Sequence, residues 1–101
     1  MNEYTKLSDF EINKLVVYHY IKGNGFTEET SKFISDKGKF DPCNNPSDAM
    51  PIIIENKIAM NHPYDIWQCG SGWNVAENKN PLRACMESYL LMKDAENSNG
   101  N

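Results

Sequence analysis

At 101 residues the chain has room for one hydrophobic core and not for two. Its 40% apolar and 24% charged residues fit a soluble globular protein rather than a disordered one, and no apolar run approaches the ~20 residues of a membrane span. A net charge of −4, one arginine (Arg83) and scattered lysines disfavour nucleic-acid binding, which needs clustered cations facing phosphates.

The first predicted element opens with a capping box. Ser8 at the N-cap can accept from the Glu11 amide while Glu11 reaches back to the Ser8 amide, and Leu7 and Ile12 form the accompanying hydrophobic staple. Ile12, Leu15, Val16 and His19 recur at helical spacing and Gly23 is a natural stop, so a helix is predicted over about Asp9 to Lys22. His19 falls on its apolar stripe, and a partly buried core histidine is the favoured reading. The N-terminus, MNEYTKLSDFE, lacks the basic flank and apolar stretch of a secretory signal, so the expected location is the cytoplasm.

Residues 24–40 allow two readings. Thr27 could cap a short helix carrying Glu28 and Glu29 in its first turn. Alternatively, Lys32 to Ser35 could form an edge strand closed by a turn at Asp36-Lys37-Gly38.

The stretch FDPCNNPSDAMPIIIENKI (40–58) combines turn residues with a second helix start. Asn45 reads as a cap, followed by proline at the first helical position, where a missing amide costs nothing. Pro51 conflicts with a start at Pro46, because an interior proline costs roughly 3 kcal/mol. A kinked start, or one delayed to Asp48, accommodates it. Ile52, Ile53 and Ile54 leave almost no polar face, so this helix is expected to be largely enclosed.

The segments IAM, DIWQC and WNVAE read as a small antiparallel meander. The GSG connection allows a two-residue turn pairing Gln68 with Trp73 or a three-residue loop pairing Cys69 with Trp73 and Trp67 with Val75. The second places Trp67, Cys69, Trp73 and Val75 on one face and is preferred, with Gly72 free to take positive φ. The helices are expected to pack on that tryptophan face. Asn80-Pro81 repeats the cap-and-proline device and starts a last helix to about Ala95, with an apolar stripe at Leu82, Cys85, Met86, Tyr89 and Leu90. The expected architecture is α+β, three helices packed on a small antiparallel β-meander. It forms a single domain over residues 1–96 followed by a polar, flexible tail over 97–101.

LSDFEIN (7–13), DPCNNPSDAMPIIIENKIAM (41–60) and NPLRACMESYLLMKDAE (80–96) together resemble the NinX family of phage proteins. The three segments occur in the family's order and cover about half the chain, and the middle one is the most specific. The chain departs from the family pattern at Met50, where tryptophan is usual, and through residues 14–40. The resemblance implies a phage or prophage origin in a bacterial host cell and no particular chemistry.

Three cysteines, Cys43, Cys69 and Cys85, without a CxxC pair are expected as reduced thiols. A zinc site would need them to converge with His62 or His19 from distant segments, so no metal or cofactor is expected. The sharpest enzymatic reading makes Cys43, just before a helix start, a nucleophile with His19 or His62 as base. The favoured alternative makes DPCNNP a structural turn in which Cys43 packs as a small apolar side chain while Asp41, Asn44 and Asn45 satisfy backbone amides. Glycine-rich phosphate loops, HExxH and serine elbows are missing from the sequence.

By elimination the sequence favours a binding module whose partner is a host or phage protein, antagonism of a host defence or regulatory protein being one concrete form. Its candidate contact residues are Tyr18, Tyr20, Tyr64 and Trp67, with Cys43 beside them as a ligand-binding alternative. A homodimer through Leu91, Met92 and Ala84 on the second face of the last helix is a further arrangement.

Overall fold

Ser8 begins the first long element as a reciprocal cap: its hydroxyl accepts from the Glu11 amide at 3.1 Å, and its own amide donates to Glu11 Oε1 at 3.0 Å. The computed structural model describes residues 2–22 and 40–99; both readings of the connection after the first helix fall outside these residues, apart from Phe40. A 3-10 helix at Glu3–Lys6 leads into α1 (Asp9–Lys22), and α2 (Pro46–Glu55) follows. Strands β1 (Met60–Asn61), β2 (Trp67–Cys69) and β3 (Ala76–Asn78) and the helix α3 (Pro81–Asn99) complete the chain order. Among the described residues the architecture is α+β, with three α-helices and an antiparallel sheet in the order β1-β2-β3.

Helix α3 is central. It packs against α1, α2, β2 and β3, and every residue from Arg83 to Leu90 is buried. Around it lie Ile12 and Val16 from α1, Ile52 and Ile53 from α2, and Cys69 from β2. A sheet whose strands are two or three residues long has little stability of its own, so its packing on α3 is what holds it in place. The last helix runs to Asn99, past the expected end at Ala95, and takes in residues 97–99 that the sequence assigns to a tail.

Helix α2 starts at Pro46 and keeps Pro51 inside it, so of the two starts considered the one delayed to Asp48 does not occur. Asn45 accepts from the Ser47 amide at 2.9 Å, and the Asp48 and Ala49 amides both reach the Asn45 carbonyl. Pro51 has no N–H to donate to the Ser47 carbonyl. Both residues are exposed, so water can serve that carbonyl. The helix is also less enclosed than its isoleucine run implies: Ile52 and Ile53 are buried, but Ile54 is 67% exposed. A Schellman motif ends it, with Lys57 N–H on the Ile54 carbonyl and Ile58 N–H on the Ile53 carbonyl and Lys57 in the left-handed region at φ 53°.

The hairpin register differs from the expected one. Cys69 pairs with Ala76, Gln68 with Glu77 and Trp67 with Asn78, so residues 70–75 form the connection and Trp73 lies at its tip, 99% exposed. The cause is close approach to α3. Ser88 Oγ donates to the Asn74 carbonyl at 2.6 Å, and a Cβ on Gly70 (φ +104°) would fall 2.3 Å from both the Asn74 oxygen and Ser88 Oγ. Where the hairpin meets α3 the buried partners are small, namely Cys69, Ala76, Ala84 and Cys85. Trp67 shares the Cys69 face and packs half-buried against the core, so the helices do cover that face, without Trp73.

Candidate functional site

The turn at residues 41–46 is where α1, α2 and α3 converge, and its polar atoms are occupied by protein. The Asn44 and Asn45 amides donate to the Asp41 carbonyl at 3.1 and 2.8 Å. Asp41 Oδ1 accepts from Asn13 Nδ2 at 2.7 Å and from Asn44 Nδ2 at 3.2 Å, while the Asp41 amide donates to Asp48 Oδ2 at 2.9 Å. Asn13, buried on α1, returns its oxygen to the Cys43 amide at 3.2 Å. From α3, Asn80 Nδ2 donates to the Cys43 carbonyl at 2.6 Å, and Asn80 Oδ1 accepts from the Leu82 amide at 2.9 Å. A buried polar group left unpaired costs about 1–3 kcal/mol, and this junction pairs its own.

Cys43 sits beneath the turn at 0% exposure. Its sulfur faces the Asp9 carbonyl at 3.9 Å. Burial pushes its thiol up to about 12; the nearby Asp9 carboxylate adds to the rise and Arg83 opposes it. A nucleophilic cysteine needs the opposite shift and an accessible sulfur. The histidines proposed as its base are engaged elsewhere. His19 packs edge-on against Tyr18 with ring centroids 5.4 Å apart, and His62 lies against Trp67 at 4.9 Å.

Beside the turn is a cluster that the sequence reading missed. Arg83, on α3, donates from Nε to Glu87 at 2.6 Å and from Nη1 to Asp9 at 2.7 Å. Its Nη2 reaches the carbonyls of Tyr4 and Leu7 at 2.9 and 2.7 Å. Glu87, itself at 0% exposure, also accepts from Asn2 Nδ2 at 2.6 Å, and Asn2 Oδ1 caps the 3-10 helix through the Tyr4 amide. Burial alone would lower the guanidinium's pKa; its bonds to Asp9 and Glu87 reverse that and raise it. The arrangement fastens the N-terminal segment to α3. The sequence signal was present, an Arg and a Glu four residues apart within an apolar helix, but it resembles an ordinary surface pair.

The proposed contact residues are spread over the surface. Tyr64, in the β1–β2 connection, is 84% exposed, whereas Tyr18, Tyr20 and Trp67 are half-buried, Tyr20 and Trp67 packing against the core. Cys43 presents no surface at all. Ala84 is buried in the core, so the second face assigned to a dimer is reduced to half-buried Leu91 and Met92. The large exposed aromatic that sequence patterning did not offer is Trp73. A shallow hollow of about 230 Å³ lined by Leu7, Glu11, Lys14 and Leu15 holds no nucleophile, and its Glu11 is committed to the helix cap. Among the described residues no cluster of three or more His, Cys, Asp or Glu side chains could hold a metal ion, and no helix is long and apolar enough to cross a membrane.

A family model described as Bacteriophage P22, NinX matches residues 3–93. No curated protein and no solved structure matches the chain.

Proposed function

The chain belongs to the NinX family of phage proteins, and we propose that it is a phage- or prophage-encoded accessory protein that acts by binding another protein. The observation that carries this reading is the pair of aromatic side chains left in solvent, Trp73 at 99% and Tyr64 at 84% exposure. Tryptophan and tyrosine are the residue types that most often anchor protein interfaces, and leaving them in water forfeits burial worth about 1.5–3 kcal/mol for a large apolar side chain. The two sit on connections at opposite ends of a meander whose central strand has three residues. That strand spans roughly 10 Å, so one interface of ordinary size, about 800 Å² per partner, can include both.

His62, Asp65 and the half-buried Trp67 flank Tyr64, giving that end of the sheet a mixed aromatic and polar surface suited to a protein partner. A host defence or regulatory protein, occupied and thereby blocked, is the concrete partner class. Catalysis through Cys43 has no comparable support, because its thiol is buried and raised. The test is crosslinking mass spectrometry on the full chain in host-cell lysate. A specific partner crosslinked near residues 62–66 or 70–75, and lost in a Tyr64→Ala/Trp73→Ala variant that keeps its fold, supports the reading. Crosslinks indifferent to both substitutions would contradict it.

A further inference from the structure

Two of the three cysteines meet inside the fold. Cys69 on β2 and Cys85 on α3 are both at 0% exposure and belong to one core cluster. Cys69 Sγ lies 3.8 Å from the carbonyl of Pro81, which is one helical turn before Cys85 and therefore on the same face of α3. In an α-helix the carbonyl of residue 81 points at the amide of residue 85, so the Cys69 sulfur sits beside Cys85. Cys43 stands apart, beneath the turn at Asp9.

We propose that Cys69 and Cys85 form an internal dithiol that low-molecular-weight disulfides oxidise to a Cys69–Cys85 bridge, pinning the central strand of the meander to α3. Cys69, on the short strand that opens locally, is the attacking sulfur. Its thiolate displaces one thiol from the oxidant and forms a mixed disulfide. Cys85 then gives up its proton, attacks the Cys69 sulfur and releases the second thiol. Two protein thiols become one disulfide while the oxidant is reduced to two thiols. Because both sulfurs are buried, the rate is set by local opening of the short meander.

The bridge closes a loop of about 15 residues, a length for which restricting the unfolded chain is substantially stabilising. Its consequence would be a meander, with the Trp73 connection directly after Cys69, held more rigidly on α3 in the oxidised form.

The experiment exposes the intact protein to oxidised glutathione and follows it by mass spectrometry, thiol titration under denaturing conditions and peptide mapping. The expected results are loss of two hydrogens, a fall from three titratable thiols to one, a linked peptide containing Cys69 and Cys85, and a Tm rise on the order of 10 °C. A lasting glutathione adduct, a bridge that includes Cys43, or three thiols persisting after the β2 amides have exchanged with deuterium would overturn the proposal. So would a Cys69–Cys85 bridge that leaves Tm unchanged or lowered. No substituted chain is needed, so a variant that fails to fold cannot obscure the answer.

Discussion

The side-chain amide of Asn80 donates to the carbonyl of Cys43, 37 residues earlier, at 2.6 Å, while its oxygen accepts from the Leu82 amide at 2.9 Å. One residue therefore starts α3 and closes the turn before α2. Asn80→Ala removes both functions and is expected to cost about 2 kcal/mol, the upper end of the range for an N-cap. Asn80→Asp keeps the acceptor and loses the donor, so it should fall between alanine and the parent. Urea denaturation of the three proteins checks this ordering.

The Arg83–Glu87 pair gives a larger effect. Arg83→Met leaves Glu87 buried without its cation, which is expected to cost about 3–5 kcal/mol. Replacing both with apolar residues should cost less than that single change, because no uncompensated charge remains. A double-mutant cycle measures the coupling, and additive costs would show that the two side chains act independently.

Lys57 is the non-glycine residue with positive φ among those described. A β-carbon in the left-handed region costs roughly 1–2 kcal/mol, and glycine returns part of that as unfolded-state freedom. Lys57→Gly should therefore stabilise the protein by about 0.5–1 kcal/mol. Thermal unfolding provides the check, and a lowered Tm would place the Lys57 stem in packing that the geometry does not suggest.

These substitutions fall where the sequence was readable to different degrees. The span of α1 followed from Ser8, Glu11 and an uninterrupted helical period, all of which are local. The register of β2 and β3 did not, because it is decided by Ser88 reaching Asn74 and by the lack of space at Gly70, contacts supplied by a helix later in the chain. Trp73 illustrates the consequence: alternation alone placed it inside, whereas it stands at the tip of the connection, 99% exposed. The capping role of Asn45 was legible from turn chemistry, whereas the Asp41 and Asn44 side chains bond the side chains of Asn13, Asp9 and Asn80 and not backbone amides. The buried Arg83 cluster was not legible, since nothing local distinguishes it from a solvated ion pair.

The Cys43 thiol is raised from an ordinary 9.0 to about 12, so the folded state favours its neutral form. The stability this provides is complete below about pH 9 and is lost as pH rises towards 12. One such group contributes a slope of up to about 1.4 kcal/mol per pH unit. Tyr89, raised by burial to about 12, adds a second loss at the upper end of the window. Cys43→Ala should flatten the alkaline limb between pH 9 and 10 without abolishing it. Stability measured by urea titration at several pH values decides this, and an unchanged slope would mean that the thiol ionises as readily folded as unfolded.

On the proposed reading, exposed aromatic contacts carry the function and the thiol of the DPCNNP turn only packs. The most direct measurement compares Cys43→Ala with Trp73→Ala in one assay of the phage or host phenotype, with folding of both verified by circular dichroism. Cys43→Ala is expected to keep the phenotype at modestly reduced stability, and Trp73→Ala to lose most of it with the fold intact. Loss of the phenotype in the folded Cys43 variant, with retention in the Trp73 variant, would contradict this reading and make the thiol the functional group.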